Sequence, residues 1–111
     1  MTIAINDYWV KESPQTIVEG EEPIFSMVVP GVTTVTNDAT LVMYIYKGNT
    51  DTSATNLSGS MSSAGNVVTL KKLTALVGKN QYVITVFGTA DGILRCLGAL
   101  QIDCRRKGEL Q

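Results

Sequence analysis

LTALVGKNQYVITVF, residues 73–87, places Leu73 and Leu76 ahead of Gly78 and Tyr82 and then breaks into an alternating apolar run. A loop that crosses from one β-sheet to another has three needs: leucines to bury at its base, a residue that permits a sharp bend, and a polar group that reaches back to its backbone. Leu73 and Leu76 suit the first, Gly78 the second and the Tyr82 hydroxyl the third. The stretch predicts a structural corner between two layers of sheet, with Tyr82 near the start of a strand.

The segments on either side agree with layered β structure. QYVITVFGT and ILRCLGALQIDC flank Ala90-Asp91-Gly92, and Asp-Gly between alternating runs is a strong hairpin signal because both residues accept positive φ at little cost. In the second run the even positions Leu94, Cys96, Gly98, Leu100, Ile102 and Cys104 form an apolar set opposed by Arg95, Gln101 and Asp103. Upstream, PIFSMVV closes on Pro30-Gly31 as a strand followed by a turn. ATLVMYIY is apolar on both alternating sets, Leu41, Met43 and Ile45 against Val42, Tyr44 and Tyr46. A two-layer sandwich buries only one face of a strand, so the surplus on this one predicts a covering element or another chain. SATNLSGSMSSAGN reads equally as a flexible loop or as short edge strands joined by tight turns.

The whole chain has 111 residues, 44% hydrophobic and 17% charged, which suits one packed domain. About seven strand candidates and no helix of three turns predict an all-β fold, an immunoglobulin-like or fibronectin III-like β-sandwich spanning 13–104. Residues 1–12 read as an extended N-terminal arm or broken first strand, with Pro14 interrupting any ladder, and residues 105–111 as a basic C-terminal tail. No apolar run approaches the roughly 20 residues that span a bilayer, and the N-terminus lacks the pattern of a secretory signal, so synthesis in the cytoplasm without membrane insertion is expected.

The net charge of −1 hides a polarity: residues 1–22 carry −4, residues 23–104 carry +1, and the tail, with Arg105, Arg106 and Lys107 against Glu109, carries +2. Ends of opposite sign offer head-to-tail contact between copies, but a solvated surface with a short basic tail is the plainer reading. Three tail charges are too few for a nucleic-acid face, which needs a broader basic surface with interleaved aromatics.

The corner resembles the tyrosine corner of immunoglobulin-like and fibronectin type III domains. A wider resemblance, over about residues 12–104, is to the small immunoglobulin-like structural proteins of tailed bacteriophages. It rests on Tyr46-Lys47 closing a strand, the turn Gly48 to Asp51, the Ser/Gly-rich stretch leading to Gly65 through Thr69, Leu73 to Tyr82, and Asp91-Gly92 in the closing hairpin. That resemblance implies a virion protein without cofactor that decorates a capsid, builds a tail or baseplate, or attaches fibres. Its partners would be other copies of itself and a major capsid or tail protein in a symmetric assembly. Contact residues are then expected at Tyr8, Trp9, Tyr44, Arg105 and Arg106. A second reading of the same fold is a cell-surface or host-attachment module that binds carbohydrate through exposed aromatics, with Tyr8, Trp9, Tyr44 and Phe87 as candidates.

Catalysis finds little to work with. The chain has no histidine, the commonest general base near neutral pH. Glu19, Glu21 and Glu22 suggest calcium only weakly, since consecutive glutamates before a strand usually form a solvated turn. Asn56-Leu57-Ser58 fits an N-glycosylation acceptor, a match short enough to arise by chance. The Gly-rich segment from Ser58 to Gly65 lacks the lysine and the strand-to-helix setting of a phosphate loop. Cys96 and Cys104, eight apart, would stand ~26 Å apart on one strand and could not pair, which makes them small buried hydrophobes. No metal ligand set is expected.

Overall fold

The computed structural model describes residues 15–106. They form an all-β fold whose strands are β1 (Gln15–Val18), β2 (Ser26–Val28), β3 (Val42–Lys47), β4 (Thr50–Asp51), β5 (Leu57–Ser58), β6 (Ser62–Ala64), β7 (Val67–Thr69), β8 (Lys72–Leu73), β9 (Asn80–Ala90) and β10 (Ile93–Arg105). The one helix among the described residues, α1, is a single turn at Ser53–Asn56. Three sheets result, in the orders β1-β10-β9-β3-β4, β2-β7-β6 and β5-β8.

The hairpin of β9 and β10 is the spine. Asp91 and Gly92 make its two-residue turn with φ of 48° and 85°, the left-handed conformation that Asp and Gly tolerate. The Asp91 carboxylate also leaves the turn. It accepts from the backbone N–H of Thr33 at 3.1 Å and of Thr34 at 3.0 Å, fastening a loop 57 residues away in sequence to the hairpin tip. These bonds favour the ionised form and hold the Asp91 carboxyl below its usual range. Bonds from Thr40 do the same for Asp38, bonds from Ser53 for Asp51, and Thr74 followed by Lys72 for Glu22. A carboxyl whose pKa is lowered by folding stabilises the native state above its unfolded pKa, and that stabilisation is lost as pH falls through the lower folded value. The melting temperature should thus hold steady on acidification from neutrality and drop below about pH 4. Asp91→Asn should flatten that drop; an unaltered acid profile would refute the assignment to Asp91.

One expectation needs correcting. The even-numbered residues of β10 do not share one face, because the pairing with β9 shifts between Cys96 and Gly98. Leu97 is the extra residue of a bulge, and a bulge exchanges the faces on its two sides. Gly98, Leu100 and Ile102 align with Val86, Ile84 and Tyr82 and face the core, whereas Leu94 and Cys96 align with Thr89 and Phe87 on the outer face. Leu97 turns inward in their place and packs over Gly88, where an added Cβ would stand 3.0 Å from its Cδ1. Cys96 and Cys104 are therefore on opposite faces of one strand, both buried and free, with burial pushing both thiols up.

The core lies between the sheets. Met43 and Ile45 of β3, Tyr82, Ile84 and Val86 of β9, and Ile102 of β10 meet Met27 and Val68 from the second sheet and Leu70 just past β7, with Leu73 and Leu76 closing one end. About seven strands were expected and ten are present among the described residues, since residues 53–73 break into α1 and four small strands. Strand β1, parallel to β10 with Gln15 opposite Ile102, was not expected at all. Strand β10 also runs through Arg105, whose carbonyl accepts from the Glu19 N–H at 2.8 Å, so the basic tail starts one residue later than its sequence suggests. The proposed arm at residues 1–12 lies outside the described residues.

Candidate functional site: the corner and the outer face

Two groups of residues matter here, one that braces the fold and one that it exposes. In the first, Tyr82 is 2% exposed and its hydroxyl accepts from the Val77 N–H at 3.0 Å, five residues upstream. Leu73 and Leu76 lie in the core beneath the loop. Gly78 has a different role from the bend expected of it. The left-handed residues of the loop are Ala75 and Lys79, with φ of 56° and 68°, and Gly78 is needed for space instead. A Cβ there would stand 2.9 Å from the backbone of Arg106. The loop is clamped to the end of β10 by the Lys79 N–H donating to the Cys104 carbonyl at 2.8 Å, and to the β1 side by the Gly78 N–H donating to Glu19 Oε2 at 3.0 Å. Tyr82→Phe leaves the Val77 N–H without this acceptor and should cost about 1 kcal/mol or more. Denaturant titration measures it; an unmoved midpoint would refute the bracing role.

The exposed group occupies the outer face of the five-stranded sheet. Val42, Tyr44 and Tyr46 of β3 sit beside Phe87, Thr85 and Val83 of β9 in register, and Leu94 of β10 adjoins Thr89. Tyr44 and Phe87 meet edge to face with ring centres 6.0 Å apart. A shallow apolar trough runs past Ala39, Val42, Tyr44, Phe87 and Leu94. Tyr44 and Val83 are each 38% exposed and Leu94 66%, so the face is open at these positions, whereas Cys96 and Ala99 on β10 are buried.

The remaining sequence candidates are scattered. Tyr8 and Trp9 lie outside the described residues. Arg105 is held by Asp103 through Nε at 3.2 Å and a terminal nitrogen at 3.1 Å, and Arg106 is exposed at the end of β10. The Tyr44 row crosses β10 at Ala99, six residues from Arg105, a separation of ~20 Å along the strand. Tyr44 and the two arginines therefore share a sheet without forming one patch.

The three glutamates point to different partners. Glu19 accepts from Gly78, Glu21 from the Val18 N–H at 2.7 Å, and Glu22 from the Thr74 hydroxyl at 2.8 Å with Lys72 at 3.5 Å. No cluster of three metal-ligating side chains occurs among the described residues. Asn56 is 3% exposed and its amide donates to the Thr74 carbonyl at 2.9 Å, so its side chain is structural and closed to a glycan in the folded chain. Among the described residues no helix is long and apolar enough to cross a membrane.

Compared with protein-family models, curated proteins and solved structures, the chain matches none.

Proposed function

We propose that this chain is a non-enzymatic structural module of a tailed-phage virion, an immunoglobulin-like sandwich that packs in many copies against a capsid or tail surface. The observation that carries the reading is the apolar patch on the outer face where Tyr44 and Leu94 are exposed beside Phe87 among the described residues. An uncovered aromatic and aliphatic patch on a sheet is typical of a surface that meets another protein. The strand order supports the immunoglobulin-like part: β1 runs parallel to the last strand, β3, β9 and β10 share one sheet, β2 and β7 share the other, and the Tyr82 hydroxyl braces the crossing loop. The phage part rests on the resemblance of the Gly48–Asp51, Gly65–Thr69 and Leu73–Tyr82 pieces. The edge-on packing of Tyr44 against Phe87 gives a sugar ring no pair of parallel platforms, which favours a protein partner over a carbohydrate.

Virions made by the genome that encodes this chain should contain it in many copies, countable by quantitative mass spectrometry. Tyr44→Glu combined with Leu94→Glu should leave the melting temperature nearly unchanged and remove the chain from purified particles. Virions lacking the wild-type chain would sink the phage reading. Retention of the double variant would move the contact away from this face.

A further inference from the structure

Asp38 stands next to Ala39 and Thr40, the wall of the outer-face trough, and the polar hydrogens of this corner have fixed destinations. Asp38 and Ala39 are exposed and Thr40 is half-buried. Asp38 Oδ1 accepts from the Thr40 backbone N–H at 2.9 Å and from the Thr40 hydroxyl at 2.5 Å. Both bonds favour the ionised carboxylate, which has no hydrogen of its own to return. The Thr40 hydroxyl has a single hydrogen, so in its second contact, 2.9 Å from the Thr89 hydroxyl, Thr89 must donate. The order Thr89 to Thr40 to Asp38 follows. Both hydroxyl hydrogens are committed within the molecule, whereas Asp38 Oδ2 and the remaining lone pairs of the two threonines have no partner among the described residues. The charge is equally one-sided. The outward positions of β3, β9 and β10 hold no lysine or arginine before Arg105, which Asp103 already engages.

On the reading that this face meets a capsid or tail protein, we propose that the partner brings an apolar side chain into the trough and, beside it, an arginine or lysine onto Asp38. Acceptors without donors select a group that has hydrogens to give, and a negative charge with no cation near it selects a positive one. A partner carboxylate at the same place would meet like charge and find no hydroxyl hydrogen to accept. The apolar half of the contact comes from Val42, Phe87 and Leu94, which line the trough beside Thr40. Thr40 joins the two halves, since its bonds to Asp38 and Thr89 hold the carboxylate and the wall of the trough in one arrangement. The trough thus supplies contact area, and the Asp38 corner decides which apolar surface is accepted.

Variants supplied together with the wild-type chain during phage growth compete for the same places, and mass spectrometry of purified virions reads the share of each. Asp38→Asn keeps an acceptor for Thr40 and removes the charge, so its share should fall about tenfold below its input. Asp38→Lys should be excluded, whereas Glu22→Gln, whose carboxylate meets Lys72 and Thr74 instead, should enter at its input share. Raised ionic strength during assembly should narrow the gap between Asp38→Asn and wild type, because salt screens a charge pair and spares the apolar contact. Exclusion of the Tyr44→Glu, Leu94→Glu double variant together with full entry of Asp38→Asn keeps the face as the contact and overturns the cation. An Asp38→Asn share above its input marks an anionic partner and overturns it as well. Entry of the double variant at its input share, or virions without the chain, sinks the reading of the face and this proposal with it. Dimers of the purified chain that Tyr44→Glu dissolves would give the trough to a second copy and overturn the proposal too.

Discussion

Leu73→Ala should lower the unfolding free energy by about 2–5 kcal/mol, the range for removing a buried leucine where the site cannot collapse. Leu73 is fully buried, and its backbone is fixed on two sides: it pairs with Leu57 in the two-stranded sheet, and its N–H donates to the Pro23 carbonyl at 3.0 Å. Those restraints stop the chain from closing over the space the side chain leaves. Against a typical total of about 5–15 kcal/mol, the loss is a large share of what keeps such a domain folded. It should also exceed the cost of Tyr82→Phe severalfold, because the tyrosine change removes one hydrogen bond and keeps the ring in the core. The comparison separates two accounts of the corner. If apolar burial at the base of the loop secures it, Leu73→Ala is the worse variant; if the hydroxyl bond secures it, the order reverses. Chemical denaturation with an unchanged slope reads the difference, and a loss under about 1 kcal/mol for Leu73→Ala would remove the loop base from the core.

The sequence showed most where neighbouring residues settle the structure between themselves. Asp91-Gly92 needs nothing distant to turn, and the long alternation of Tyr82, Ile84 and Val86 needs only one buried face. The Leu97 bulge was hidden for a physical reason: apart from Arg95, the run from Ile93 to Leu100 is apolar at both parities, so only the pairing with β9 decides which residues face the core. Strand β1 was hidden because four residues with a parallel partner 87 positions away carry no local signature. The Asp91 carboxylate reaching Thr33 and Thr34 was hidden in the same way, as its turn role alone accounts for the residue. Of the candidate site, the double apolarity of Val42, Tyr44 and Tyr46 pointed to the outer face. Nothing local could add Leu94 to it, since the bulge puts it there.

Gly78→Ala should destabilise the fold by about 1–3 kcal/mol, although the usual effect of such a change runs the other way. Gly78 does not have positive φ, so alanine suits its backbone conformation and would ordinarily stabilise by restricting the unfolded chain. Space reverses the sign. The added Cβ would meet Arg106 Cγ at 2.8 Å and its Cα and backbone nitrogen at 2.9 Å, and two of these three atoms are main chain that no rotamer change can move. Neither side yields easily, since the Cys104 carbonyl is bonded to Lys79 and the Arg105 carbonyl to Glu19. Ending the chain at Cys104 removes what the methyl strikes. In that shortened protein Gly78→Ala should cost nothing or stabilise slightly, and the two changes together should be less harmful than their separate costs imply, by a coupling of about 1 kcal/mol or more. Strict additivity would mean that the close approach of loop and strand end does not constrain this position, and the need for glycine would then have to come from the backbone of residues 75–79 alone.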